Sequence, residues 1–121
     1  MRLSNDCIRD ILLYIENNTD SKRISINLSE LIQNLNYDEN TLRYHMRMIA
    51  QAKLVDASSF TADSAILSSL SWEGHQYLDN IRDDKVWTIL KDKTKNLSSV
   101  SLKVLIPVAS KIIENMLLHW Y

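Results

Sequence analysis

Side chains suited to contacting DNA cluster in one short stretch of the chain, residues 41–55. Arg43, Tyr44 and Arg47 stand between apolar residues that recur at positions i, i+4 and i+7, the spacing of one helix face. This pattern predicts a helix that buries one stripe and presents arginine and tyrosine elsewhere. Arginine paired with guanine is the commonest specific contact in the major groove of DNA. The apolar positions are Leu42, Met46 and Ile49, followed by Leu54 beyond the helix face.

The candidate DNA contacts compete with a plainer interpretation. An ordinary solvated helix face also carries arginine and tyrosine, and both interpretations stay open on the sequence alone. His45 is interpreted as a half-buried residue that packs near a following hairpin, rather than as a residue that reads bases. The predicted DNA-contacting residues are Asn40, Thr41, Arg43, Tyr44 and Arg47.

Residues that favour catalysis or metal binding are sparse in this sequence. Glu73 and His75 are two positions apart, which places them on different faces of a helix, and His45 and His119 are isolated. This spacing is not that of metal ligands. The single cysteine, Cys7, has no partner for an internal disulfide and is predicted to be a small core residue. We therefore predict no enzymatic activity, no metal and no cofactor.

Composition limits the class of protein. A chain of 121 residues with one Gly and one Pro is predicted to be mainly helical and long enough to bury a core. The sequence has no signal peptide pattern and no apolar run of membrane-spanning length, so we expect a cytoplasmic protein without a membrane partner.

The net charge of the chain is −1, whereas proteins that bind phosphates are usually basic. Binding to double-stranded DNA must then depend on where the charges lie.

The first half of the chain is predicted to contain three helices and a short strand. The first helix covers residues 5–18, and the alternation at residues 24–26 favours a strand. A short helix capped by Ser29 and a third helix over residues 39–53, capped by Asp38, are separated by a brief turn. These two helices form a helix-turn-helix.

A hairpin of two strands follows, with the polar tip typical of a tight connection. The strands are predicted over residues 54–60 and 64–70. The hairpin carries Asp56 and Asp63 but no lysine or arginine. It is therefore predicted to be a poor contact for DNA phosphates.

The segment after the hairpin is predicted to be helical. Ser71 is a suitable N-cap for a helix that starts at Trp72, and Trp72 is expected to cover the core. Gly74 is expected to let the start of this helix pack close to a strand. An apolar face continues through the acidic pair at residues 83–84. Arg82 and the neighbouring aspartates are interpreted as a surface salt-bridge cluster rather than a partner-binding patch.

The last helix, from residue 102 to about 120, carries an apolar stripe wider than a lone terminal helix needs. Pro107 either kinks this helix or lies in its first turn. The stripe is either core packing or a dimer seam, and we predict a homodimer. The predicted dimerisation residues are Val104, Leu105, Val108, Ile112, Ile113, Met116, Leu117 and Trp120.

Residues 41–55 resemble the recognition helix and first wing residues of a winged helix-turn-helix. The pattern resembled, T-V-x-x-H-L-x-x-L-x-x-A-G-L-V, is common in small bacterial regulators. Lys53 stands where this pattern has glycine, so we expect the helix end to be built differently. Residues 70–78 resemble the L-[ST]-x-x-G-x-x-x-L that follows the wing. The matched positions of the first pattern are Thr41, Leu42, His45, Met46, Ile49, Ala52, Leu54 and Val55.

A more specific resemblance covers nearly the whole chain. It is carried by residues 72–75, 78–84 and 86–87, with further similarity in the N-terminal helix, at 44–45 and at 101–105. These segments are similar to domain of unknown function 2513, a family of short phage and bacterial proteins without an assigned function. The resemblance implies a phage or prophage setting and implies no catalytic residue and no ligand.

Together these observations predict a mainly α fold, a winged helix-turn-helix with a small β-hairpin wing and additional C-terminal helices. Residues 1–71 are assigned to the winged helix-turn-helix core and 72–121 to a helical extension of the same continuous domain. The predicted function is a DNA-binding transcriptional regulator of phage or prophage type that acts as a homodimer. The alternative is a protein-interaction module that binds and inhibits a host or phage protein.

Overall fold

The computed structural model describes residues 1–97 and 100–119, and this part of the chain forms six helices and one small antiparallel sheet. The predicted mainly helical fold is confirmed at this level. The elements in chain order are α1 (Asn5–Asn18), β1 (Ser25–Asn27), α2 (Leu28–Asn34), α3 (Glu39–Gln51), β2 (Ser58–Phe60), β3 (Ala65–Ser68), α4 (Trp72–Ile81), α5 (Asp84–Thr94) and α6 (Leu102–His119).

Five helices begin at a polar side chain that accepts a hydrogen bond from a backbone N–H of the first turn. The predicted caps Asp38 and Ser71 are confirmed, whereas the prediction of Ser29 is wrong. Asn27 caps α2 instead, because Asn27 and Glu30 each accept a bond from the other's backbone N–H, a reciprocal capping box. The N-caps are Ser4, Asn27, Asp38, Ser71 and Asp83.

The sheet has three strands in the order β1-β3-β2, so the N-terminal strand pairs with the hairpin. Ile26 lies opposite Leu67, and both are buried against the helices, whereas Ile66 lies on the outer face of the sheet. The hairpin strands are shorter than predicted. Beyond them, Val55 and Leu70 form only an isolated bridge.

The predicted apolar stripe of α3 lies at the centre of the core. Leu42, Met46, Ile49 and the following Leu54 have no exposed surface, which confirms their prediction as core residues. Cys7 is also fully buried, as predicted, and burial raises the pKa of its thiol to about 12. The face of α1 that packs beside this stripe contributes Cys7, Ile8, Ile11, Leu12 and Ile15.

The start of α4 packs against the chain at Leu54, as predicted from its glycine. A Cβ added to Gly74 would lie 2.0 Å from the carbonyl oxygen of Leu54, so only glycine fits this contact. The prediction that Trp72 covers the core is wrong, because its side chain is 75% exposed. Trp72 lies on the opposite side of α4 from the buried Ile81, since nine residues correspond to two and a half helical turns.

The described residues of the C-terminal half form three helices rather than two. The apolar face predicted to continue through residues 83–84 is interrupted there, because Asp83 caps a new helix, α5. Pro107 lies inside α6 as its sixth residue, so the carbonyl of Lys103 receives no bond from a residue-107 N–H. Within residues 1–97 and 100–119, no helix has both the length and the apolar character needed to cross a membrane.

Buried side chains from both halves of the chain belong to one apolar cluster. Helix α6 packs on α4 and α5, and α4 in turn packs on α1. The assignment of 1–71 and 72–121 to a core and an extension of one continuous domain stays a prediction.

Candidate nucleic-acid interface

Helix α3 turns one polar face away from the core. Asn40, Arg47 and Gln51 are exposed and lie on this face, because they are spaced at i, i+7 and i+11. Two of the other predicted contacts, Thr41 and Tyr44, are half-buried at its margin. Gln51 was missed in the sequence, although its helical spacing from Asn40 and Arg47 places it on the same face.

The guanidinium group of Arg43 binds the hairpin rather than projecting freely from α3. It donates hydrogen bonds to the backbone carbonyls of Thr61 and Ala62, each over 3.1 Å. Both acceptors lie at the tip of the hairpin between β2 and β3. Arg43 therefore positions the hairpin beside α3, and its donors are engaged while this contact persists.

Arg47 also contacts the hairpin, but through the ring of Phe60. Its guanidinium carbon lies 4.5 Å from the centre of the Phe60 ring, a cation–π arrangement. The side chain remains exposed at the same time. Its hydrogen-bond donors are therefore better placed than those of Arg43 to meet a ligand that approaches α3.

His45 is a structural residue and is more deeply buried than predicted. Its side chain is 1% exposed, and it packs beneath the N-terminus of α1. Nε2 accepts a hydrogen bond from the backbone N–H of Ser4, so in the neutral ring Nδ1 carries the proton and donates to the carbonyl of Thr41. Burial lowers the pKa of His45, although the bond to Thr41 opposes this effect.

The chain leaves α3 through a residue in the left-handed conformation. Lys53 has a φ of 61°, a value that glycine adopts more readily than lysine. We expected a different helix end because Lys53 stands where the pattern has glycine. The backbone instead adopts the conformation that glycine favours, so the backbone of Lys53 is locally strained.

Acidic side chains surround the base of the hairpin. Asp56 and Glu73, together with Lys53, line a cleft of about 370 Å³ beside the end of α3. Asp63 is exposed at the hairpin tip. Hence the hairpin brings negative charge to one side of the candidate interface.

The predicted dimerisation residues differ in their exposure along α6. Val104 and Leu117 are 52% and 51% exposed, whereas Leu105 and Ile112 are 1% and 5% exposed. These last two belong to the core of the single chain, because α6 packs on α4 and α5, and no partner can contact them in this conformation. Trp120 lies outside the described residues. Three further positions are partly buried, namely Val108, Ile113 and Met116.

The charged cluster around Arg82 fastens α4 to α1. Arg82 binds both carboxylate oxygens of Glu16, at 2.7 and 2.5 Å, and also contacts Asp79 at 3.0 Å. These bonds lower the pKa of Glu16. The contacts agree with the salt-bridge interpretation.

Throughout residues 1–97 and 100–119, no three histidine, cysteine or acidic side chains lie close enough together to hold a metal ion.

Comparison with known proteins identifies the family. A family model described as "Hypothetical protein (DUF2513)" matches residues 2–101. An uncharacterized protein of Haemophilus influenzae is 35% identical over 123 residues, which cover 97% of this chain and 99% of that protein. No solved structure matches the chain. The protein therefore belongs to the DUF2513 family, as its sequence resemblance indicated.

Proposed function

We propose that this protein is a winged-helix regulator that binds double-stranded DNA through α3. The order of elements supports this proposal, since α1, β1, α2, α3 and the β2–β3 hairpin follow one another as in a winged helix. In a helix-turn-helix, the second helix lies in the major groove and its exposed side chains meet base edges. That helix corresponds to α3 here.

The observation that carries the proposal is the chemistry of the outward face of α3. Asn40, Arg47 and Gln51 are exposed along one line of the helix. Arginine pairs with guanine through two hydrogen bonds, and asparagine or glutamine pairs in the same way with adenine. This line therefore presents the side-chain types that discriminate bases most directly. Arg43 has a different role in this proposal, because it holds the hairpin tip.

Selection from a random duplex library at low salt tests the proposal. We expect enrichment of a defined sequence, and Arg47→Ala should weaken binding to it by about 1–3 kcal/mol and relax specificity at one position. Asn40→Ala and Gln51→Ala should relax specificity at other positions. Gln76→Ala is a matched control, because Gln76 is an exposed glutamine on α4. Binding that is absent, or unchanged by all three α3 substitutions, contradicts the proposal.

We also propose that the regulator acts as a homodimer through the exposed part of α6. Val104 and Leu117 retain about half of their surface, and Leu118 is 73% exposed. A two-fold pair of such helices would cover Leu117 and Leu118, which share the last turn of α6, and present two copies of α3 to a palindromic operator. The phage or prophage setting implied by the family resemblance stays a prediction.

A protein-interaction module is the second candidate, favoured by the outer face of the sheet. Ile24 is 63% exposed and Ile66 is 39% exposed, and both line a cleft of about 250 Å³. The described residues that line this cleft are uncharged, whereas the hairpin tip carries Asp63. Capture of a host or phage protein that survives nuclease treatment and is lost in Ile66→Asp would support this candidate. Capture that nuclease abolishes would favour DNA binding.

A further inference from the structure

A groove runs along α3 on the side away from the hairpin. It consists of three adjoining clefts of about 300, 190 and 490 Å³ between α3 and the start of α6. Neighbouring clefts share lining residues, since Met48 borders the first two and Gln51 borders the last two. The groove therefore lies directly beside the outward face of α3, for which Gln51 forms a shared margin.

The charges that line this groove are all positive. Arg2 borders its first cleft, Lys103 the second and third, and Lys53 the third. Among the residues that the structure describes, none of those lining the three clefts is an aspartate or glutamate. Lys53 also borders the cleft at the base of the hairpin that Asp56 and Glu73 line. It therefore lies between the positively charged groove and these acidic side chains. We call the surface formed by Arg2, Lys53 and Lys103 the basic groove.

The hairpin has the opposite character. Residues 54–70 contain Asp56 and Asp63 and no lysine or arginine. Arg43 of α3 donates to the backbone carbonyls of the hairpin tip, and Arg47 packs against Phe60 while its side chain stays exposed. The two flanks of α3 therefore differ in charge: the hairpin brings aspartates beside Arg43 and Arg47, whereas the charged residues described along the groove are cations.

A helix that enters the major groove has a phosphate strand on each flank. Cations attract the strand by releasing its counterions, whereas aspartates repel it. We infer that the basic groove binds the phosphate backbone of duplex DNA, so that the protein is anchored on its α6 flank and not by its hairpin. This inference rests on the proposed function, and it assigns phosphate contacts to residues distant from one another in sequence.

The salt dependence of duplex binding tests the inference. Affinity for a labelled random-sequence duplex is measured by fluorescence anisotropy over a series of salt concentrations. Arg2→Gln, Lys53→Gln and Lys103→Gln should each reduce the slope of log K against log salt by about 0.9, the value for one lost phosphate contact. Lys93→Gln is the matched control, because Lys93 is an exposed lysine of α5 that borders none of the three clefts.

The triple variant should lose about 2.7 in slope if the three contacts are independent. Slopes that match the wild type in all three single variants overturn the inference. If Arg47→Ala still weakens binding in that case, the proposed function survives without the basic groove. A wild-type protein that does not bind the duplex even at the lowest salt contradicts both the inference and the proposed function. Circular dichroism of each variant checks that the fold is retained.

Discussion

The backbone N–H of Ser4 donates a hydrogen bond over 2.8 Å to Nε2 of His45, and so connects the start of α1 to the middle of α3. The side chain of Ser4 also caps α1 by accepting a bond from the N–H of Cys7. Ser4 thus provides one hydrogen-bond partner to α1 and one to α3. Because Nε2 must be unprotonated to accept from an N–H, only the neutral ring of His45 makes this bond.

The stability of the protein should fall at mildly acidic pH because of His45. Burial lowers its pKa in the folded state from the ordinary value of 6.5, so the unfolded chain binds more protons as the pH decreases below 6.5. The contribution is complete above pH 6.5 and is lost below it, at no more than about 1.4 kcal/mol per pH unit, until the folded-state pKa is reached.

Urea unfolding across this pH range measures the effect of His45. His45→Gln should flatten the dependence of the unfolding free energy on pH, whereas His75→Gln, which replaces an exposed histidine of α4, should leave it as in the wild type. An unaltered pH dependence in His45→Gln would show that another group is responsible.

Gly74→Ala should destabilise the fold strongly. The added methyl group would lie 2.0 Å from the carbonyl oxygen of Leu54, which is backbone and cannot rotate away. The cost should reach about 4 kcal/mol or more, the range of severe core substitutions. Thermal unfolding measures it. A variant stabilised by about 0.4–1 kcal/mol, the usual result of replacing a helical glycine, would mean that α4 does not approach Leu54 this closely.

Ile49→Ala should lower the free energy of unfolding by about 2–5 kcal/mol, because Ile49 is fully buried on the inner face of α3. Ile24→Ala removes the same atoms from a side chain that is 63% exposed, and should change stability by less than about 0.5 kcal/mol. Urea denaturation compares the two variants. Similar losses of stability in both variants would contradict the burial of Ile49 on the inner face of α3.

Leu117→Asp should convert a dimer into a monomer if α6 forms the proposed interface. Leu117 is 51% exposed on that helix, and a carboxylate in a paired apolar seam is left without a partner. Light scattering at tens of micromolar, on the order of common association constants, measures the mass. Leu97→Asp is the control, because Leu97 is 58% exposed outside α6. A monomeric wild type would reject the dimer.

Asp63→Lys should strengthen duplex binding rather than abolish it. The hairpin tip flanks α3, so a cation there gains a phosphate contact that the wild type lacks, and the salt slope should rise by about 0.9. Glu114→Lys makes the same change of charge at an exposed position of α6 and serves as the control. Equal gains in the two variants would mean that net charge, and not the position of the hairpin, governs binding.

Local features of the structure were determined by the sequence itself. Apolar spacing located α1 at its observed bounds and identified Leu42, Met46 and Ile49 as core residues. Asp38 and Ser71 were identified as caps from side-chain chemistry alone. These predictions succeeded because a helix face and a cap depend on residues within about one turn to a few turns of each other.

Features that depend on distant residues were decided only by the tertiary structure. The carbonyls that engage Arg43 come from Thr61 and Ala62, and the packing of α6 on α4 and α5 determines that Leu105 is buried while Val104 is not. The basic groove likewise unites Arg2, Lys53 and Lys103, which no local pattern connects. Periodicity specifies which face of a helix is apolar, but the path of the chain decides which other element covers that face and which charges become neighbours.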